Sequence, residues 1–226
     1  MFYHDPTFLL IIPAFILALF AQWHVKSTYE KYSKVRANSG YTGARTAREI
    51  LNMQGLGSIS VVEHEGFMTD HYDPIKKVIR LSPEVYHGAS IASIGVAAHE
   101  AGHAVQHSKF YLPLVVRNGI FPIASFGSWL AFPLFFIGLM FRSPAMMDIG
   151  IIIFSGVVLF QVVTLPVEYN ASSRAISLLS LTGILSKDEV SPARKVLSAA
   201  ALTYLAATAV SLMHLVRLLI LRQERR

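Results

Sequence analysis

Four stretches of the chain carry no Asp, Glu, Lys or Arg: residues 7–25, 118–141, 149–167 and 196–216. Each is long enough to cross a hydrocarbon core, which takes roughly 17 to 25 residues as a helix. The third is the clearest, almost unbroken in apolar residues from Ile151 to Val163, whereas the fourth is rich in Ala and Thr and carries His214. Gly and Pro interrupt the second and third, which spanning helices tolerate where neighbours satisfy the freed backbone groups. The first reads as a retained anchor. Its opening Met1-Phe-Tyr-His-Asp5 lacks a basic leader, and no small-x-small cleavage site precedes Gln22.

The polar regions between these runs, 26–110 and 168–195, carry the remaining elements. Thr42 is placed to cap a helix ending near Gly55. Ser58 to Val62 reads as a short strand, Asp70 to Pro74 as a turn, and Lys76 to Ser82 as a second strand with polar ends. A helix of small residues follows from Ser90 to about Ser108. After the third span a helix begins at Pro166 and ends at Gly183. Asp188, Glu189 and Ser191-Pro192 start another that runs into the last span. The pattern predicts a mainly α membrane protein, one membrane-embedded domain over residues 1–226, with about four transmembrane helices and a small β-sheet.

Composition strengthens this picture. Hydrophobic residues make up 53% of the chain and charged residues 15%, against about one quarter charged in a soluble domain. Cysteine is absent, which excludes disulfides, a cysteine nucleophile and thiolate metal ligands. The net charge of +6 comes largely from residues beside the spans, Lys26, Lys31, Lys34 and Arg36 at one end and Arg217, Arg222, Arg225 and Arg226 at the other. Such residues set topology or meet anionic lipid, so nucleic acid is not an expected partner. The cluster after the first span places residues 26–110 on the cytoplasmic side, and the hairpin of spans two and three returns the chain there near Glu168. Four full crossings then leave the basic C-terminus outside, against the positive-inside rule, unless the last segment stops short.

The candidate chemistry lies in His99-Glu100-Ala101-Gly102-His103. On a helix, residues four apart face the same way, so both imidazoles can reach one zinc ion. Glu100, about a quarter turn away, suits a base that takes a proton from zinc-activated water. His107 continues the series, but about 12 Å beyond His99 along the axis it is too far to share the ion. Gln106 and Lys109 stand where an extended motif would have a Gly and a third His. Glu168, the first acidic residue after the third span, is the better third ligand; Glu63, Glu65, Asp70 and Asp73 also compete. Asp70 or Asp73 could instead accept a ligand histidine's other N–H.

The motifs taken together resemble the YugP-type bacterial neutral zinc metallopeptidases, small membrane proteins, over nearly the whole chain. The likeness rests on Tyr29-Glu-Lys-Tyr-Ser, Gly40-Tyr-Thr-Gly-Ala, Asp70-His-Tyr-Asp-Pro74 and Leu81-Ser. It continues in Val96-Ala-Ala-His-Glu-Ala-Gly-His-Ala104, Leu165-Pro-Val-Glu-Tyr-Asn-Ala-Ser172 and Ala200-Ala-Leu-Thr-Tyr204. The resemblance implies a zincin-like metalloprotease domain with one zinc ion on His99, His103 and Glu168, and Glu100 as general base. Distantly similar membrane proteases carry an Asp four residues after the ligand Glu. This chain has Ser172 there, so Asn170 or Ser172 would take its place.

The expected protein is a multipass zinc endopeptidase of the bacterial inner membrane, its site facing the cytoplasm, acting on membrane-associated proteins or peptides. An inactive zinc-binding scaffold, or a zinc hydrolase of a non-peptide substrate, are the alternatives. A metal transporter is disfavoured, since the spans offer little beyond Gln161 and His214. Lys77 to Ser82 is expected to provide a sheet edge for an extended substrate, and His71, Tyr72 or Tyr204 a donor to the developing oxyanion. No feature of the sequence specifies an oligomeric state.

Overall fold

The computed structural model describes residues 6–223. Four of its helices are long and apolar enough to cross a membrane. They are α1 (Ile12–Ser33, continuing a short 3-10 turn), α5 (Leu112–Met140), α6 (Pro144–Thr182) and α7 (Lys187–Gln223). The chain is a mainly α membrane protein with a small sheet. At about 1.5 Å per residue the 39-residue α6 is nearly 60 Å long, twice the roughly 30 Å hydrocarbon core. It therefore has several turns to spare beyond its apolar stretch, and Glu168 and Ser172 lie on those turns.

Chain contacts define two compact units. One comprises the segment up to Gln22, Pro113–Pro166 and the segment from Thr203 onward. Its core is a ladder of Ala131, Phe135, Met147, Ile151, Phe154 and Leu218. A fork from Arg222 to Asp148, at 2.7 and 2.9 Å, ties the end of α7 to the start of α6. Arg217 lies over the Phe8 ring, 5.7 Å from its centre. These contacts bring the residues just before α1, the start of α6 and the end of α7 together in this unit.

The other unit comprises Trp23–Leu112 and Val167–Leu202. Helix α2 (Gly43–Met53) is capped by Thr42, whose hydroxyl accepts from the Arg45 amide, as the sequence predicts. Helix α4 (Ile91–Ser108) is capped by Ser90, which accepts from the Ser93 amide at 3.1 Å. A one-turn helix, α3 (Pro83–Tyr86), precedes it. The core is built from residues that cost little to order and pack closely. Ala92, Ala97, Ala98, Ala101 and Ala104 of α4 are fully buried against Ile50, Leu51, Ala175 and Leu179. Gly183, in the left-handed region at φ +67°, ends α6, the conformation a helix C-terminus favours and glycine adopts without strain. Ser186 then opens α7, its amide and hydroxyl both donating to the Glu189 carboxylate at 2.9 Å, one half of a capping box.

Three expectations are corrected. Pro166 does not start a helix. It sits inside the continuous α6, where its missing N–H cannot donate the i→i−4 hydrogen bond. Residues 71–73 form a strand, β2 (His71–Asp73), where a turn was expected, because they pair antiparallel with β3 (Val78–Leu81). And β3 is not an edge. It lies between β1 (Ser60–Glu63), which pairs parallel to it, and β2. Val78, Ile79 and Leu81 are buried, the near-continuous burial of a central strand.

Candidate metal centre

Helix α4 presents His99 and His103 one turn apart, and α6 lies directly against that face. The close approach depends on Gly102. A Cβ at this position would come within 2.7 Å of the Ala171 carbonyl oxygen, a clash costing about 1–3 kcal/mol or a retreat of α6. With the backbones this close, Glu168 and Ser172, flanking Ala171 one turn apart on α6, come down on the two histidines.

Three ligand atoms converge there. The Nε2 atoms of His99 and His103 are 3.1 Å apart. Glu168 Oε2 is 3.2 Å from the first and 3.5 Å from the second. All three side chains are largely buried, with exposures of 13%, 12% and 4%. Atoms bound tetrahedrally at 2.0–2.1 Å to one zinc ion stand roughly 3.3 Å from each other. The observed spacings match that figure, and two imidazoles with a carboxylate are a ligand set zinc takes in catalytic sites. Among the described residues, His99, His103 and Glu168 form a group able to hold a metal ion.

A hydrogen-bond chain sets the orientation of His103. Gln106 is fully buried, and its Nε2 donates to the Val167 carbonyl at 2.8 Å and to Asn170 Oδ1 at 2.9 Å. Asn170 Oδ1 also accepts from Arg174 Nε at 2.7 Å. With both amide hydrogens so committed, Gln106 can offer only its carbonyl oxygen to His103 Nδ1, 3.0 Å away. His103 must therefore carry its proton on Nδ1 and aim Nε2 at the other two ligand atoms. Ser172 Oγ sits 3.1 Å from His99 Nδ1 and can orient that ring in the same way. Sequence reasoning raised Ser172 and Asn170 but missed Gln106. The usable signal was its place three residues after His103, on the same helical face. Replacing Gln106 by Leu should lower zinc affinity by about 10- to 100-fold, measured by competition with a chromophoric chelator.

The electrostatics of α4 are asymmetric. Burial pushes the Glu100 carboxyl above its ordinary range, partly opposed by the His99 and His103 charges. Glu100 is 8% exposed, so its carboxyl is shielded but not sealed. Burial works against a charged His103, but the Glu168 carboxylate and Glu100 outweigh it and raise the pKa of the imidazole. In the metal-free chain the Glu168 carboxylate thus favours a second proton on His103 Nε2, which competes with a metal for that nitrogen.

The competing residues are engaged elsewhere. Glu63 pairs with His87 at 3.1 Å. Asp70 accepts from the Ser82 amide and hydroxyl at 2.8 and 3.1 Å, and Asp73 from Arg80 at 2.9 Å. Glu65 is exposed. Neither Asp70 nor Asp73 contacts a nitrogen of His99 or His103; those partners are Ser172 and Gln106. His107 pairs through Nδ1 with the Tyr72 hydroxyl at 2.9 Å, joining α4 to β2. His71 donates from Nδ1 to the Thr69 carbonyl at 2.7 Å, and Tyr204 lies on α7.

Comparison with known proteins agrees with this arrangement. The family described as "Putative neutral zinc metallopeptidase" matches residues 7–223. The chain belongs to that family. It is 51% identical over 208 residues, covering 92% of each chain, to a protein of Bacillus subtilis (strain 168) named "Putative membrane protease YugP". No solved structure matches it. For a member of this family, the region between Gly102 and Asn170 is where two elements 60-odd residues apart meet at the candidate centre.

Proposed function

We propose that this chain is a zinc endopeptidase of the membrane, with His99, His103 and Glu168 as the ligands of one zinc ion and Glu100 as the general base. The observation carrying this reading is the convergence of three ligand atoms at 3.1 to 3.5 Å, from helices that only tertiary packing brings together. Zinc held there would polarise a carbonyl and lower the pKa of water to about 7. Glu100 takes the proton of the attacking water and hands it to the departing amine, a role its raised pKa suits, since a base working near neutrality transfers protons in both directions. Buried side chains around the ligands limit stray water.

An extended peptide substrate fits the free edge of β2, the strand that His107 and Tyr72 couple to α4, by adding main-chain hydrogen bonds to the sheet. Tyr72, whose hydroxyl meets His107, and Tyr204 are the candidates to assist the oxyanion, since the His71 ring is held by Thr69 and Arg80. The substrates are proteins or peptides associated with the membrane. The site faces the cytoplasm of a bacterial inner membrane. Lys26, Lys31, Lys34, Arg36, Lys109, Arg117, Arg174, Lys187, Arg194 and Lys195 flank the polar regions, against Arg142, Arg217 and the Asp148-paired Arg222 at the other helix ends. Four full crossings then satisfy the positive-inside rule, even with a basic C-terminus outside.

The test uses purified full-length protein in lipid nanodiscs. One zinc per chain and chelator-sensitive cleavage of a membrane-tethered peptide are expected; a chain that takes up no zinc overturns the reading. Because the chain has no cysteine, a single Lys76→Cys label reports sidedness, and labelling from the periplasm of intact cells overturns the orientation.

A further inference from the structure

Helices α1 and α7 meet along two polar stripes with the same spacing. On α1 the stripe is His24, Ser27, Thr28 and Lys31; on α7 it is Ser191, Arg194, Lys195 and Ser198. Each is an i, i+3, i+4, i+7 series, the spacing that normally carries apolar residues between packed helices. Here the two stripes line one cleft of about 620 Å³, together with Trp23 and Tyr32.

Its chemistry is one-sided. Three permanent cations, one histidine, four serine or threonine hydroxyls and the Tyr32 phenol line it, and no carboxylate does. Of the nearby acids, the exposed Asp188 does not line the cleft, and the other two have partners. Glu30 pairs with Lys26 at 4.0 Å, and Glu189 accepts from Ser186 and from the Asn38 amide. Lys31, Arg194 and Lys195 have no carboxylate partner among the described residues, and all three are exposed to a ligand. Like charges gathered in one groove repel, weakly where solvent screens them, and the arrangement is relieved by a shared anion. Hydroxyls beside Lys and Arg are the donors that phosphate oxygens accept from.

The position along each helix narrows the anion. Helix α1 is apolar up to Val25 and α7 from Val196 onward. Both stripes therefore straddle the point where an apolar run gives way to polar sequence, the depth of lipid headgroups, and Trp23 is the amphipathic side chain expected there. We propose that this cleft binds the phosphate-bearing headgroup of an anionic phospholipid, Lys31, Arg194 and Lys195 contacting the phosphate and the serine and threonine hydroxyls completing its shell. Basic pockets between membrane helices recognise such headgroups. The binding is independent of the metal centre and stands whether or not the chain is a peptidase.

The experiment counts bound lipid by native mass spectrometry on the full-length protein released from detergent. Phosphatidylglycerol should be retained and phosphatidylcholine lost. The triple variant Lys31→Gln, Arg194→Gln, Lys195→Gln should weaken phosphatidylglycerol binding by at least about tenfold, from roughly fivefold per charge. A control triple removing the same charge at exposed positions outside the cleft, Lys34→Gln, Lys76→Gln, Lys109→Gln, should change it less than threefold. The thermal unfolding temperature serves as the folding check, and Lys195→Glu alone, a single exposed substitution, should repeat the loss in direction. Equal losses in the two triples would reduce the effect to the general basic field and overturn the proposal. So would complete displacement of the lipid by millimolar inorganic phosphate, which would make this a free-phosphate site.

Discussion

Glu100→Gln should keep its zinc and lose peptide hydrolysis by about 10²- to 10⁴-fold, the usual contribution of a positioned proton-transfer group. The amide has the size and shape of the carboxylate it replaces, so the buried packing around α4 is retained. It cannot accept a proton from water, and this is the function removed. The ligand atoms of His99, His103 and Glu168 are untouched, and the neutral side chain takes away only a charge from their surroundings. Metal analysis and a single-turnover cleavage assay on the same preparation separate the two effects. Full activity in this variant would refute Glu100 as the base, and loss of zinc together with activity would show that the carboxylate acts on the metal site.

Glu168→Ala should abolish both zinc and cleavage, because it removes one of three ligands and the only anionic one. The loss in affinity should exceed the 10- to 100-fold typical of residues that merely orient a ligand, and so exceed that of Gln106→Leu. The cause is local. Glu168 Oε2 contacts both imidazoles at 3.2 and 3.5 Å, and its side chain is 4% exposed, so water cannot simply replace it at the same geometry. Glu168→Gln, which preserves volume but not charge, separates packing from ligation: it should also lose most of the zinc while thermal unfolding of the metal-free form stays within a few degrees. Wild-type zinc content in Glu168→Ala would transfer the third ligand elsewhere and refute the assigned set.

The two variants also differ in their dependence on pH. Zinc competes with a proton for His103, whose pKa is raised by Glu168 and Glu100. Affinity in the wild type should thus fall as pH drops through the histidine range, with proton release measurable by calorimetry in buffers of different ionisation heat. Without Glu168 much of what raises that pKa is gone, and the residual weak binding should depend less on pH.

Features written in local pattern were legible without coordinates. The apolar runs announce four membrane helices because length and hydropathy are properties of contiguous residues. His99 and His103 announce a shared face because one helical turn spans about four residues, and the cap at Thr42 follows from a single side chain beside its own helix. Even Glu168 was reachable, since a hairpin of two spans must return the chain to the side it left. Strand order was not. Val78 to Leu81 reads as a strand in either position, and its central place depends on residues 60–63 and 71–73 pairing to its two sides.

The sequence by itself determined a membrane-spanning helical chain bearing two imidazoles and a carboxylate on one helix. Only the tertiary structure decided that Glu168 and Ser172 descend on those imidazoles, and that Gln106 hands its carbonyl oxygen to His103. The reason is distance between backbones. The bare Cα of Gly102 lets α6 approach α4 against the Ala171 carbonyl, and the amide of Gln106 is turned by the Val167 carbonyl, 61 residues away. No periodicity in either helix encodes that separation. It is set by how two small-residue surfaces pack, and the candidate ligand atoms converge only where they do.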